Sequence, residues 1–296
     1  MKQFDISTDS TCDLYAEEIK DLDIYVGHLQ YTMNKNGNLT EHIDDFKSKQ
    51  EYLDFYTELK NGAIAKTSIL NVETHVQVFR EMAQKGIKKV LHITQSYGLS
   101  PTLDNANKAI EIVKQEYPDI DYRAIECRTT TIGEGIVVKV ACQMRDEGKT
   151  IEETISVLQD LKMKIQHYII ADDLMFLKRG GRISGAKAAI GTMLQIKPII
   201  TFSKEGKLEI IKKEMGMKKA IMFAIKDLAK YTKNKDHFMC EIVHTNNEKD
   251  AIFLQKQLKE KWDVDAEIRI MGPIIGAHVG PGAVAFGFIS NEERPI

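Results

Sequence analysis

Short strand-like runs alternate with longer helix-like stretches along almost the whole of this 296-residue chain, and that alternation constrains the fold more than any other feature. Parallel neighbours need a crossover connection, so strands separated by helices of about 10–15 residues point to a parallel sheet in an α/β architecture. The pattern predicts strands over 4–8, 88–94 and 122–126, and helices over 13–22, 50–60, 72–85, 102–116 and 132–146. Residues 24–33 read as one further extended run, closed by a hairpin turn at Lys35-Asn36-Gly37-Asn38. At Gly148-Lys149-Thr150 the pattern is punctuated: Thr150 and Glu153 form a capping box that opens a helix over 151–164. A strand over 168–171 comes next, then a helix, a Gly180-Gly181 break and a second helix within 172–191. A hairpin over 196–202 and 208–212, a helix over 217–231, a strand over 237–244, a helix over 249–262 and a strand over 266–270 complete the pattern. The expected organisation is two α/β domains: a parallel-sheet domain over 1–160 and a smaller one over 161–296.

Several function classes fall away on charge and motif. Lys and Arg number 41 against 43 Asp and Glu, a net charge of −2, without the basic excess of a nucleic-acid binder. No run approaches the ~18 uninterrupted apolar residues of a membrane span, so no stable membrane insertion is expected. The opening Met1-Lys2-Gln3-Phe4-Asp5 sets an acid where a signal peptide has its apolar core, and a cytoplasmic protein is expected. Cys12, Cys127, Cys142 and Cys240 lack C-x-x-C spacing and read as buried free thiols, and the eight histidines make no metal motif. Gly148-Lys149-Thr150 ends like a phosphate-binding loop, but Gln143 stands where a glycine is needed. Gly98-Leu99-Ser100-Pro101-Thr102 ends in threonine where a hydrolase's nucleophile elbow has its second glycine. No metal, cofactor or catalytic residue is therefore expected.

Hydroxyl groups, in contrast, gather where strands hand over to helices. Thr8-Asp9-Ser10-Thr11, Thr67-Ser68, Ser96-Tyr97 with Ser100, and Thr129-Thr130-Thr131 all sit at such junctions. In an open parallel sheet these loops meet at the carboxyl ends of the strands, where ligands bind and helix amino termini favour an anion. Helix capping alone accounts for any single cluster. Two further segments stand out. Arg182 lies beside the Gly180-Gly181 break and offers a planar fork to a carboxylate or phosphate. His278 lies in a loop-like run, Gly272-Pro273-Ile274-Ile275-Gly276-Ala277-His278-Val279-Gly280-Pro281-Gly282, suited to close backbone approach.

Taken in order, Thr8-Asp9-Ser10-Thr11, Lys66-Thr67-Ser68, Ser96 with Gly98-Leu99-Ser100 and Thr102, Gly180-Gly181-Arg182-Ile183 and the glycine-rich run around His278 resemble the DegV family. The resemblance spans essentially the whole chain. It implies a two-domain α/β protein that binds one long-chain fatty acid and acts as partner of a fatty-acid kinase. That kinase would phosphorylate the presented carboxylate for phospholipid synthesis, with an acyltransferase receiving the acyl-phosphate. By the same resemblance Thr67, Ser68, Ser96, Tyr97 and His278 hold the carboxylate, and Arg182 supports phosphoryl transfer. Tyr97 replaces a serine of the family pattern, and its phenol is expected to point into the headgroup site. The lipid tail needs an apolar tunnel, for which Ile190, Met193, Leu194, Met222 and Phe223 are candidates. The alternatives are a stand-alone acyl hydrolase using a hydroxyl with His278, or a carrier of another amphiphilic lipid.

Overall fold

A computed structural model describes residues 2–183, 195–232 and 239–294. The chain begins with β1 (Asp5–Asp9), α1 (Ala16–Asp21) and β2 (Tyr25–Gly27), then β3 (Gln30–Lys35), β4 (Asn38–Ile43), α2 (Lys49–Lys60) and β5 (Ile64–Thr67). It continues through α3 (Val72–Gln84), β6 (Lys89–Thr94), α4 (Thr102–Glu116), β7 (Asp121–Glu126), α5 (Ile132–Asp146) and α6 (Ile151–Lys164). Then come β8 (Ile165–Ile170), α7 (Met175–Gly180), β9 (Ile196–Phe202), β10 (Leu208–Met215), α8 (Met217–Leu228) and β11 (Cys240–His244). The last elements are α9 (Glu248–Trp262), β12 (Glu267–Ile270), α10 (Pro273–Val279) and β13 (Val284–Ile289).

Among the described residues the strands form three sheets. The first, in the order β2-β1-β6-β7, is parallel throughout. The second, β4-β3-β5, is antiparallel, and its hairpin turns through Asn36 (φ 53°) and Gly37 (φ 90°), as the Asn-Gly pair predicts. The third is mixed, in the order β10-β9-β8-β13-β11-β12. Its two faces read the period-two alternation directly. Tyr168, Ile170, Ile199 and Ile242 face α8 and α9, whereas Ile169, Ile200, Val243 and Ala285 face a core shared with α2, α7, α10 and the second sheet.

Besides β5, a strand to which the pattern assigns no element, three features depart from the sequence reading. The run over 24–33 is two strands in different sheets, broken at Gly27, with the His28 ring bonded to the Asp44 carbonyl at 2.6 Å. The segment around His278 is a helix, not a loop: Pro273 opens it at the position where a missing N–H costs nothing. Gly276 inside it is small because the Tyr56 phenol packs there on its way to the Met271 carbonyl, 2.6 Å away. The third is β13, a central strand to which the reading gives no element. The second helix expected after the Gly180-Gly181 break lies outside the described residues.

Hydrogen bonds tie the parallel sheet's loops to the cap of α10 and to one another. The Gly272 amide, at the helix cap, donates to Asp13 Oδ1 (3.0 Å), and the Thr131 amide to the Thr11 carbonyl (2.8 Å). Asp13 and Asp44 are both buried there, and the second carboxylate oxygen of each has no hydrogen-bond partner among the described residues. Burial pushes Asp44 up to about 7, with repulsion from Asp9 adding to it and the Ser10 hydroxyl opposing. Its unfolded value is near 3.9, so the stability it contributes is complete below that and is lost as pH rises to about 7. Asp44→Asn, uncharged at every pH, should therefore gain stability relative to the wild type by about 4 kcal/mol more at pH 8 than at pH 4. Urea unfolding at both pH values checks this; an equal difference at both would contradict a buried neutral carboxyl.

Candidate functional site

Loops from all three sheets converge on one cavity with an empty volume of about 610 Å³, part of it open to solvent. Its polar lining is Thr67 at the end of β5 and Ser68 just after it, Gln95 and Ser100 after β6, Thr130 after β7, Arg182 after α7, and His278 of α10. The apolar walls come from as many elements: Leu29, Ile169, Leu177, Phe202, Leu208 and Ile274 are among them. A hydrocarbon wall with a cluster of hydroxyls, an imidazole and a guanidinium is the complement of an amphiphilic anion.

His278 and Thr67 form the centre of the polar lining. His278 Nε2 lies 2.9 Å from Thr67 Oγ1, a bond that joins α10 to the edge of the second sheet. The imidazole's other side rests against Gly180, where an added Cβ would collide with Nδ1. Burial, then the nearby Arg182 charge, pulls His278 down to about 4, so the ring is neutral at pH 7. Arg182 is exposed at the rim: Nε donates to the Leu99 carbonyl (3.3 Å) and Nη1 to the Gly180 carbonyl (2.5 Å).

Thr130 contributes a different kind of signal. It is 2% exposed, and its hydroxyl has no hydrogen-bond partner among the described residues. A buried polar atom left without a partner costs about 1–3 kcal/mol, so this hydroxyl beside the cavity is poised for a ligand. The loop carrying it is strained: Arg128 and Thr131 both have positive φ (55° and 52°). The amino terminus of α5, with its partial positive charge, comes directly after it.

The remaining predicted residues are placed differently. Ser96 is fully buried but does not line the cavity; its hydroxyl donates to the Gly206 carbonyl (2.8 Å) and accepts from the Gly98 amide (3.2 Å). It clamps the β6–α4 loop to the β9–β10 turn, where Gly98 and Gly206 are too close for any side chain. Tyr97 is a correction to the expected inward phenol. It is half exposed, its hydroxyl donates to Asp104 (3.1 Å) and its amide to Glu126 (2.8 Å). A tight turn at 96–100, with the Leu99 and Ser100 amides both on the Ser96 carbonyl, sends Ser96 inward and Tyr97 outward. Met222 and Phe223 are a second correction. They belong to α8, on the opposite face of the mixed sheet, where Phe223 packs with the other core. Ile190, Met193 and Leu194 lie outside the described residues.

Thr130, Gln95 and Ser100 also line the cavity, although the family motifs do not assign them to the headgroup. For Thr130 and Ser100 the signal was present, because each stands in a hydroxyl cluster after a strand. The wall residues carry no local signal, since no two of the six named share an element. Among the described residues, no group of three or more His, Cys, Asp and Glu side chains could hold a metal ion.

Comparison with known proteins bears on this geometry. The model of the DegV family, described as an uncharacterised protein family, matches residues 3–291. A DegV domain-containing protein of Clostridium perfringens is 36% identical over 297 residues, covering 100% of both chains. Among solved structures, a DegV lipid binding protein from Thermotoga maritima superposes with a TM-score of 0.85 at 26% identity, covering 99% of this chain and 100% of that one. A DegV family protein from Thermus thermophilus, described by its fatty acid binding, gives 0.84 at 27% identity, with 97% and 99% covered.

The packing of His278 on Gly180 yields a test that needs no ligand. Gly180→Ala should push the imidazole off Thr67, at an overpacking cost of about 1–3 kcal/mol in urea unfolding. Histidine titration by NMR should show the His278 value rising from about 4 toward that of a solvated ring. An unchanged titration in a variant of unchanged stability would mean that the glycine is not what seats the ring.

Proposed function

This chain belongs to the DegV family, and on that premise, together with the shape and chemistry of its cavity, we propose that it binds one long-chain fatty acid. The carboxylate lies at the polar lining, among Thr130, the Thr67–His278 pair and Ser68, and the tail runs along the apolar walls. Thr130 carries the reading: a buried hydroxyl without a partner among the described residues, beside a cavity that is otherwise largely hydrocarbon, is satisfied by an acceptor on the ligand. Burial of about fifteen methylenes supplies ~12 kcal/mol before ordering costs. A lone carboxylate would forfeit much of that, and the ring of donors offsets its desolvation.

Once bound, the fatty acid is presented to a separate fatty-acid kinase, which forms the acyl-phosphate used in phospholipid synthesis, an acyltransferase taking it onward. Arg182, exposed at the rim, is placed to meet the phosphoryl group as charge develops. The reading gives residues 1–160 the headgroup loops and residues 161–296 the histidine, the arginine and part of the wall, and it sets the protein in the cytoplasm. Carrier function is favoured over hydrolysis by the state of His278. With a value pulled to about 4 and Nδ1 against Gly180 rather than a carboxylate, it is a weak base with no acidic group orienting it among the described residues.

An organic extract of protein purified without added lipid should contain about one fatty acid per chain by mass spectrometry. In displacement of a fluorescent fatty acid, Thr130→Val, Thr67→Val and His278→Ala should each weaken binding by about 1.5–3 kcal/mol, the cost of a lost donor to a buried charge. Tyr97→Phe should bind as the wild type does. No lipid in the extract and no binding on re-exposure would overturn the proposal; a loss confined to Tyr97→Phe would overturn the headgroup placement.

A further inference from the structure

Arg294 is among the largest fully buried side chains of the protein, at 1% exposure, and it makes no salt bridge among the described residues. Its guanidinium is satisfied by four backbone carbonyls instead. Nη2 donates to Lys162 (2.9 Å) and Nε to Ile165 (2.9 Å), while Nη1 reaches Arg128 (2.7 Å) and Ser203 (3.2 Å). The first two explain how the charge is tolerated, because Lys162 lies in the last turn of α6, where a cation meets the negative end of the helix. The backbone completes the cap: the Arg294 amide donates to Met163 (3.0 Å) and the Ser290 amide to Lys164 (2.9 Å).

The other two carbonyls lead to the cavity. Arg128 opens the strained loop that carries Thr130, and its positive φ is a conformation that persists only where the surroundings enforce it. Ser203 adjoins Phe202, a wall residue, and the guanidinium carbon stands 5.6 Å from that ring's centre. The Arg128 side chain reinforces the link, Nη1 donating to the Lys204 carbonyl (2.9 Å). The loop in turn holds its neighbour, since the Thr129 carbonyl accepts the Ser96 amide (2.8 Å). One planar fork thus ties the end of α6, the Thr130 loop and the β9–β10 turn together.

We infer that Arg294 is a positioning residue for the ligand cavity, holding the Thr130 hydroxyl and the Phe202 wall in register from outside the site. Its effect on lipid rests on the fatty-acid reading above; its hold on the loop does not. Arg294→Lys keeps the charge at the helix end but lacks the fork that spans Lys162 and Arg128. Hydrogen exchange on the ligand-free protein should show faster exchange in peptides covering 128–131 and 96–100, with α3 and α4 unchanged. Arg294→Lys should also weaken fatty-acid binding by about tenfold, and adding Thr130→Val should then cost less than it does in the wild type.

Unchanged exchange at 128–131 in a folded Arg294→Lys variant would overturn the inference, as would strictly additive losses in the double variant. Uniformly faster exchange across the chain would also overturn it, by marking a general stabilising role. If wild-type protein bound no fatty acid, the functional reading would fall, and the exchange measurement would still decide whether Arg294 holds the loop. Should Arg294→Lys not fold, Arg128→Gly, which relieves the positive φ, supplies the same comparison. Without the Arg128 link to Lys204, exchange at 128–131 should rise and Thr130→Val should cost less than in the wild type; unchanged exchange with an undiminished cost would contradict the proposed route.

Discussion

The hydrogen bond between Thr67 and His278 is the point on which the site depends. It spans the second sheet and α10, two parts separated by 211 residues, and it fixes the imidazole at the polar lining of an otherwise apolar cavity. Burial makes the ring neutral, so it presents a dipole rather than a charge, and its orientation is set by contact with Gly180 on the other side. A neutral, rigidly seated imidazole suits a ligand that brings its own charge, because the ring then adds no buried ion of its own to the cavity.

The surrounding fold serves to bring polar groups to that point from several directions at once. The parallel sheet delivers loops at the carboxyl ends of β6 and β7, the general location of ligands in such sheets. The mixed sheet contributes a wall through Ile169 and Phe202, and its other face is closed by α8 and α9. Strain at Arg128 and Thr131 keeps Thr130 beside the cavity, and the buried Arg294 sits where it can sustain that strain. The fold therefore holds the Thr130 loop largely from outside the cavity, by bonds to backbone carbonyls, while the Thr130 hydroxyl itself has no partner among the described residues.

Much of this architecture is legible in the chain. The Asn36-Gly37 pair specifies the β3–β4 turn, Thr150 with Glu153 caps α6, and the spacing of strands and helices announces the parallel sheet. The family motifs lead to Thr67, Ser68, Arg182 and His278, all of which line the cavity. Other parts are not readable locally. The helix at His278 is masked by glycines that answer to Tyr56 and Phe176, distant contacts rather than backbone turns alone. β13 takes its place between β8 and β11 through long-range pairing. Tyr97 faces outward because a single tight turn inverts adjacent side chains, and a motif aligned by position does not encode that inversion. Met222 and Phe223 have the composition of a lipid wall but stand on the wrong face of the sheet.

In the proposed complex the carboxylate is held by Thr130 and the Thr67–His278 pair, with the chain extending along the walls that include Leu29 and Phe202. A crystal structure of the protein with bound palmitate tests it most directly. One carboxylate oxygen should lie about 3 Å from Thr130 Oγ1 and the other within reach of Thr67 or His278, with the tail against Phe202. A carboxylate resting at Tyr97 and Asp104, or a tail lying along α8 at Met222 and Phe223, would contradict it.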